Sequence, residues 1–278
     1  DVDADRTQKL GVEGAQFRLP EGFSIEEVAS NELVGSVFNM TFDHLGRPLV
    51  ATGGEGVRLL LDENGDGRYD TMKAVSEAVG RAMGLCYIGP GDLLVQSDGP
   101  QGPGMYRLID KNGDDVADEV TQVIKAKSGG MGEHAPHAIA YGADGFLYVM
   151  YGNHSYPDFD VAKDSPSRGL QEDFLMPRYW DARGHAKGIL APGGTIQRVS
   201  PDLKSMWQFC AGFRNAYDFS VDNSGELFTF DVRHRCPTCS AQQAGRTTSG
   251  LVLPKANMIL GPWLATELFA NYGEGYHS

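Results

Sequence analysis

The chain has 278 residues and a formal charge of −13, which argues against binding to a phosphate backbone, because that contact needs clustered Lys and Arg. We therefore expect no nucleic-acid partner. The hydrophobic content of 41% indicates a packed core, no apolar run reaches the roughly 18 residues of a membrane span, and the opening DVDADRTQKL lacks the pattern of a signal peptide.

Glycine turns recur along the chain, each after an aromatic or β-branched residue and before an apolar strand. The four copies are FDHLGRPLVA (42–51), YIGPGDLLVQ (87–96), YGADGFLYVM (141–150) and VDNSGELFTF (221–230). The turn glycines Gly46, Gly91, Gly145 and Gly225 are 45, 54 and 80 residues apart, and the first two separations suit a propeller blade of roughly 40–50 residues. Helical periodicity is scarce, so the pattern predicts an all-β fold.

A second repeat recurs at a similar interval. VRLLLDENGDGRYDTMKAVSE (57–77) and MYRLIDKNGDDVADEVTQVIK (105–125) start 48 residues apart, and each reads as a strand, an acidic loop and another strand. One such sheet cannot cover both of its own faces, so neighbouring sheets must stack around an axis. The sequence therefore predicts a β-propeller. Four blade starts are few for a closed ring, so we expect the ring to be incomplete in this chain.

The two acidic loops resemble the first part of a calcium-binding loop, in which hard oxygen ligands converge on a hard cation. The twelfth position, where the full motif has Glu, is Lys73 in the first loop and Thr121 in the second. An acidic hairpin turn without metal is the alternative. The candidate calcium ligands are Asp62, Asn64, Asp66 and Asp70 in the first loop and Asp110, Asn112, Asp114 and Asp118 in the second.

Histidines lie in the turn that leads into the third blade start. Glu133, His134 and His137 precede the strand, and His154 follows it. A neutral imidazole accepts a proton from an alcohol, because its pKa is close to working pH. A histidine of this turn is therefore a candidate base. A hydrogen-bonded turn residue and a metal site of several histidines remain alternatives.

Arg214 and Asn215 stand at the same point before the fourth blade start as His137 does before the third. Blade symmetry then predicts that both turns lie on one face of the ring. A guanidinium beside an amide suits a carboxylate-bearing organic ligand. An ion pair between Arg214 and Asp218 or a neighbouring blade is the alternative.

The four cysteines do not indicate a metal or haem site. Cys236 and Cys239 form a C-x-x-C pair without a second pair, which is weak evidence for zinc, and Ser240 stands where a c-type haem motif needs His. The other two, Cys86 and Cys210, are isolated in the sequence.

With these motifs the chain resembles the soluble quinoprotein glucose/sorbosone dehydrogenase family, and within it the bacterial "membrane-bound dehydrogenase" propellers. Besides the acidic loops, the segments that carry the resemblance are FRLPEGFSIEEVA (17–29), PHAIAYGADGFLYVMYGN (136–153), GGTIQRVSPD (193–202) and GFRNAYDFSVDNSGELFTFD (212–231).

The resemblance implies a six-bladed propeller that binds pyrroloquinoline quinone (PQQ) with calcium polarising the quinone. It further implies oxidation of a small sugar or polyol, an external electron acceptor and a periplasmic or extracellular location. By this resemblance His137 takes the hydroxyl proton as hydride leaves for the quinone, Arg214 and Asn215 hold the cofactor, and Asn153 stands where the family has an Asp that orients the His.

We expect an N-terminal extension at 1–16, propeller blades at 17–231 and an atypical segment at 232–278. That last segment holds four Lys/Arg and two Asp/Glu, in contrast to the acidic remainder, so we expect the family pattern to end near Val232 through a reading-frame slip or a replaced C-terminus. A non-catalytic propeller that binds carbohydrate or a protein is the main alternative function. A calcium-dependent lactonase-type hydrolase is disfavoured, because the acidic loops sit on hairpins and not in a channel.

Overall fold

Alternating apolar residues and glycine turns fold the chain into successive antiparallel sheets. The computed structural model describes residues 19–54, 56–167, 189, 192–222 and 224–230, and the strand backbone at 7–9, 16–18, 255–263 and 266–273. The elements are β1 (Thr7–Lys9), β2 (Gln16–Arg18), α1 (Asn31–Val34), β3 (Val37–Phe42), β4 (Pro48–Thr52), β5 (Val57–Leu61), β6 (Thr71–Ser76), β7 (Gly80–Gly89), β8 (Asp92–Gly99), β9 (Gly102–Ile109), β10 (Glu119–Ser128), β11 (Pro136–Tyr141), β12 (Leu147–Tyr151), β13 (Ser155–Pro157), β14 (Gly194–Val199), β15 (Met206–Phe213), β16 (Phe219–Val221), β17 (Leu227–Thr229), β18 (Lys255–Trp263) and β19 (Thr266–Gly273).

Three four-stranded units follow one another as propeller blades. Blade 1 has the order β3-β4-β5-β6, blade 2 has β7-β8-β9-β10 with β13 added beside β10, and blade 3 has β11-β12-β14-β15. The hairpin β16-β17 begins blade 4. The first strands of the blades contact their successors, β3 with β7, β7 with β11 and β11 with β16, so these strands lie next to one another along an inner edge. The predicted all-β propeller class is confirmed.

The four repeated glycines occupy equivalent turns between the first and second strands of their blades. Gly46, Gly91, Gly145 and Gly225 have φ values of 78°, 69°, 76° and 88°. An L side chain rarely adopts this left-handed backbone, and glycine adopts it without steric cost. The repeat seen in the sequence is therefore a repeat of backbone geometry.

The core lies between adjacent blades. Leu59 of blade 1 packs in one cluster with Leu85 of blade 2, Ile124 of blade 2 packs in a second with Leu147 of blade 3, and a third cluster joins blade 3 to Phe219. Blades 2 and 3 thus bury apolar side chains on both faces, as stacking around an axis requires.

The inner strands of blades 2 and 3 approach so closely that a side chain would not fit between them. A Cβ atom at Gly84 in β7 would overlap the backbone carbonyl of His137 in β11. Glycine therefore fixes the distance between these two strands, and with it the place of the backbone at His137.

A four-stranded antiparallel blade has two ends, and the predicted calcium loops lie at one end while the predicted histidine and Arg-Asn turns lie at the other. The turns after the first and third strands share one end, which holds the acidic loops 62–70 and 110–118 and is here named the acidic end. The connections into the first strands lie at the opposite end. That end holds the turn before β11 and the turn between β15 and β16, and is named the histidine end.

The chain separates into two compact units. The first comprises residues 1–171 and 190–231 and holds the blades, and the second comprises 172–189 and 232–278 and contains the antiparallel hairpin β18-β19. The predicted boundaries at 16/17 and 231/232 stay predictions. Cys236, Cys239 and the predicted change of pattern near Val232 lie outside the described residues.

The described part of the chain has a single helix, α1, which is four residues long. No helix in that part is therefore long or apolar enough to cross a bilayer.

Candidate functional site

The turn before β11 is held in place by the end of β12. The Gly152 amide donates to the Ala135 carbonyl at 2.9 Å, and the His154 amide donates to the His134 carbonyl at 3.2 Å. These bonds bring His134 beside Asn153 and His154, although nearly twenty residues separate them in sequence. The rings of His134 and His154 stack with centroids 4.6 Å apart.

His134 is oriented by a side chain. Its Nδ1 lies 2.5 Å from Oδ1 of Asn153. Because an amide oxygen only accepts hydrogen bonds, Nδ1 carries the proton and Nε2 carries the lone pair. Burial lowers the pKa of His134 and the Asn153 hydrogen bond opposes this, while the Arg214 guanidinium lowers the pKa further and the Glu133 carboxylate raises it. The ring is therefore a neutral base near pH 7.

His137 is oriented by backbone from the next blade. Its Nδ1 donates to the Ala216 carbonyl at 2.7 Å, and its ring stacks on Tyr217 with centroids 4.4 Å apart and planes 11° from parallel. The residue has no exposed surface. Burial lowers the pKa of His137, and the carbonyls of Ala216 and Glu133 only partly oppose that effect.

The two turns predicted to share one end of the ring meet there. The backbone amide of Asn153 donates to the Arg214 carbonyl at 3.3 Å. Arg214 and Asn215 are both buried, with 5% and 1% of their surface exposed. Asn153 thus contacts both turns, the first through its side chain and the second through its main chain.

Sequence reasoning did not identify Ala216 and Tyr217 as site residues. Their position directly after the Arg-Asn pair was the only indication in the sequence that they belong to the site. Every residue has a backbone carbonyl, so the sequence does not single out that of Ala216. Burial raises the pKa of Tyr217, and a hydrogen bond with Asn215 partly opposes that effect.

This arrangement combines one guanidinium with two neutral imidazoles and an amide in a mostly buried setting. The guanidinium suits a carboxylate, and the His134 imidazole, whose Nδ1 is held by Asn153, suits a hydroxyl proton. These groups are of the chemical types that bind a carboxylate and accept a proton from an alcohol.

The acidic loops lie at the other end of the blades, and their carboxylates cap their own backbone. Asp62 accepts from the amides of Gly65 and Gly67 at 2.7 and 2.9 Å, and the Gly67 bond is the largest of those that lower its pKa. Asp110 accepts from Gly113 and Asp115, both at 2.8 Å. The other predicted ligands make similar local bonds: Asn64 to Asp66, Asp66 to Arg68, Asp70 to Glu63, Asn112 to Asp114, Asp114 to Val116 and Asp118 to Lys111.

Lys73, at the twelfth position of the first loop, turns its ammonium to the backbone carbonyl of Asp114 in the second. Within the described ranges, no three His, Cys, Asp or Glu side chains converge in a way that could hold a metal ion. The histidine cluster and the acidic loops therefore lack the ligand geometry of a preformed metal site in that part of the chain.

A cavity of about 510 Å³ lies between blades 1 and 2 at the acidic end. On its wall the Arg47 guanidinium binds the carboxylates of Asp43 and Asp115. His44 Nδ1 meets the Tyr87 hydroxyl at 2.7 Å. The cavity is thus separate from the histidine end.

Residues 13–249 match the model of a domain of unknown function, DUF7133. A search of curated proteins finds no match. Among solved structures, the chain is similar to a proposed oxidoreductase (glucose dehydrogenase) from Thermus thermophilus, with 22% identity, coverage of 73% of this chain and 60% of that one, and a TM-score of 0.46.

Two further solved structures carry PQQ or a PQQ domain. The holo PQQ domain of pyranose dehydrogenase from Coprinopsis cinerea is 16% identical, with coverage of 72% and 45% and a TM-score of 0.46. The PQQ-bound aldose sugar dehydrogenase from Streptomyces coelicolor is 16% identical, with coverage of 70% and 58% and a TM-score of 0.41. The chain spans about half the length of the proteins it matches.

The family model spans the blades and both turns of the candidate site. Because it matches most of the residues, the chain belongs to the DUF7133 family.

Proposed function

We propose that this chain acts in a PQQ-dependent dehydrogenase that oxidises a hydroxyl group of a sugar or polyol. The observation that carries the proposal is the position of Asn153, whose side chain holds His134 at 2.5 Å while its main chain holds the Arg214 carbonyl at 3.3 Å. A proton acceptor and an anion-binding cation are thereby kept in one cluster.

The residues of this cluster fit the cofactor by their chemistry. PQQ is a planar carboxylate-bearing ring system, and a guanidinium pairs with a carboxylate through two parallel N–H bonds. Arg214 and Asn215 would hold it. When bound, the quinone supplies the acceptor for hydride, while the protein orients the substrate and removes the proton.

His134 is the proton acceptor that this geometry favours. Its Nδ1 is fixed by Asn153, the position where the resemblance places an orienting side chain, so Nε2 is the basic atom. Burial keeps the ring neutral and ready to accept a proton. The assignment of this role to His137, made from the sequence motif, stays a prediction that the same experiment tests.

Calcium has no step in this mechanism. Ions at the loops 62–70 and 110–118 would lie at the acidic end, and the carboxylates of both loops already accept backbone hydrogen bonds. Calcium binding by these loops stays a prediction. Titration of the chain with calcium, followed by calorimetry, tests it.

The experiment is PQQ binding by calorimetry together with dye reduction over a panel of aldoses and polyols, with the dye as external electron acceptor. We expect R214A to weaken PQQ binding at least tenfold, and H134A to abolish turnover while PQQ still binds. H44A removes an imidazole at the acidic end and serves as the matched control with unchanged turnover. If H137A abolishes turnover with intact PQQ binding and H134A does not, the acceptor is His137.

A wild-type chain that neither binds PQQ nor reduces the dye would overturn the proposed function. Binding of a carbohydrate without turnover would instead support the non-catalytic propeller.

A further inference from the structure

His137 connects two blades through its ring. It belongs to β11, the first strand of blade 3, yet its Nδ1 hydrogen bond and its stacking contact are both with the connection into blade 4. Nδ1 donates to the Ala216 carbonyl at 2.7 Å, and the ring face lies on Tyr217 at 4.4 Å. These two residues come directly after Arg214 and Asn215 in the chain.

The backbone of His137 is itself fixed. Its carbonyl packs against Gly84 of β7 so closely that no side chain fits there. A ring carried by this backbone has little freedom to move. It can therefore hold a neighbouring turn in one position, in the way that buried, hydrogen-bonded residues hold the contact groups of a binding site.

The burial of His137 also limits what else it can do. The residue has no exposed surface, and the stacked Tyr217 ring covers one of its faces. Because the Ala216 carbonyl can only accept a hydrogen bond, the proton of the neutral ring belongs on Nδ1. A substrate hydroxyl would have to displace packed groups to reach this ring.

We propose that His137 is a positioning residue whose Nδ1–H and stacked ring fasten the Arg214–Asn215 turn to blade 3, and so set the direction of the guanidinium that binds the anionic ligand. The identity of that ligand as PQQ rests on the proposed function. The contact between His137 and the Arg214–Asn215 turn does not depend on the proposed function.

Three substitutions separate the parts of the imidazole. H137N keeps an N–H donor near the position of Nδ1, H137Q places its amide near the position of Nε2, and H137F keeps the stacked ring without a donor. PQQ affinity, kcat at saturating PQQ and its pH profile are measured for each variant, along with amide hydrogen exchange of residues 214–219. H44F at the acidic end is the matched control.

We expect H137F and H137Q to weaken PQQ binding about tenfold and to speed exchange in 214–219, while kcat at saturating PQQ and its pH profile do not change. H137N should recover most of the lost affinity and protection. A positioning role is overturned if H137N is as impaired as H137F, if exchange in 214–219 stays at the wild-type rate in H137F, or if all three variants lose turnover at saturating PQQ.

The exchange measurement keeps the two proposals distinguishable. If the wild-type chain does not bind PQQ, the proposed function fails. The exchange measurement still tests whether His137 fastens the turn, because residues 214–219 should then be better protected in H137N than in H137F.

Discussion

Replacing Asn153 with Asp tests the geometry at the centre of the site. The substitution keeps an oxygen 2.5 Å from Nδ1 of His134 but gives it a negative charge. An opposite charge at hydrogen-bonding distance raises a histidine pKa by about 1–3 units, which corresponds to about 1.4–4 kcal/mol. The effect of Arg214 is present in both proteins, so we expect the pKa of His134 to be higher in N153D by about 1–3 units.

The assay is an NMR titration of the imidazole Cε1–H signals, with the His134 signal identified from its loss in H134Q. N112D adds the same charge at the acidic end and should leave the His134 pKa unchanged. If N153D also leaves it unchanged, or if the His137 signal moves in its place, then Asn153 does not hold His134 and the assignment of the base fails.

The same change alters the pH dependence of stability. In the wild type, burial places the folded-state pKa of His134 below its unfolded value of about 6.5, so the unfolded chain binds the proton first. The stability present above pH 6.5 is then lost as the pH falls from 6.5 towards the folded-state pKa. In N153D the folded-state pKa is higher, so we expect urea denaturation to show a smaller loss between pH 7 and 5.

Three further substitutions test contacts within and between the blades. G84A should lower the free energy of unfolding by more than about 3 kcal/mol, because its Cβ would overlap the His137 carbonyl. The control G89A lies on the same strand, where a Cβ meets nothing within 4 Å, and should lower it by under about 1 kcal/mol. Equal losses in urea denaturation would contradict the close approach of β7 and β11. L147A removes a side chain with no exposed surface from the interface of blades 2 and 3 and should cost about 2–5 kcal/mol, and a loss under 1 kcal/mol would show that this interface is loosely packed. R47A removes a bidentate, partly exposed ion pair that joins the β3-β4 turn to the second acidic loop. We expect the free energy of unfolding, measured by urea denaturation, to fall by about 1 kcal/mol, and by less in 1 M salt. A loss that does not depend on salt would mean that the pair does not act through charge.

Much of the fold was predictable from the sequence because it rests on local backbone chemistry. Gly46, Gly91, Gly145 and Gly225 mark turns that need a left-handed residue, and the repeat of a strand, an acidic loop and a strand sets the order inside a blade. Such signals depend on neighbours a few residues apart, so they are legible without a structure.

The sequence also indicated which turns would meet, since blade symmetry placed His137 and Arg214 at one end. It could not assign the partners of each ring. Asn153 was expected to orient the base at His137, yet it holds His134, while His137 is held by the Ala216 carbonyl. The hydrogen bond between His137 and Ala216 joins residues 79 positions apart, so it depends on how one blade packs on the next. Every residue has a backbone carbonyl, so the sequence does not indicate which one accepts.

The separation of the acidic loops from the histidine cluster has the same origin. Oxygen ligands at calcium-like spacing, from Asp62 to Asp70, are visible in the sequence, but spacing alone does not state where a loop lies in the sheet or to which donors its carboxylates turn. By itself the sequence determined the composition of each turn and the period of the blades, because these follow from the backbone preferences of adjacent residues. The tertiary structure decided which imidazole meets which oxygen, because that is set by the stacking of whole sheets around a common axis.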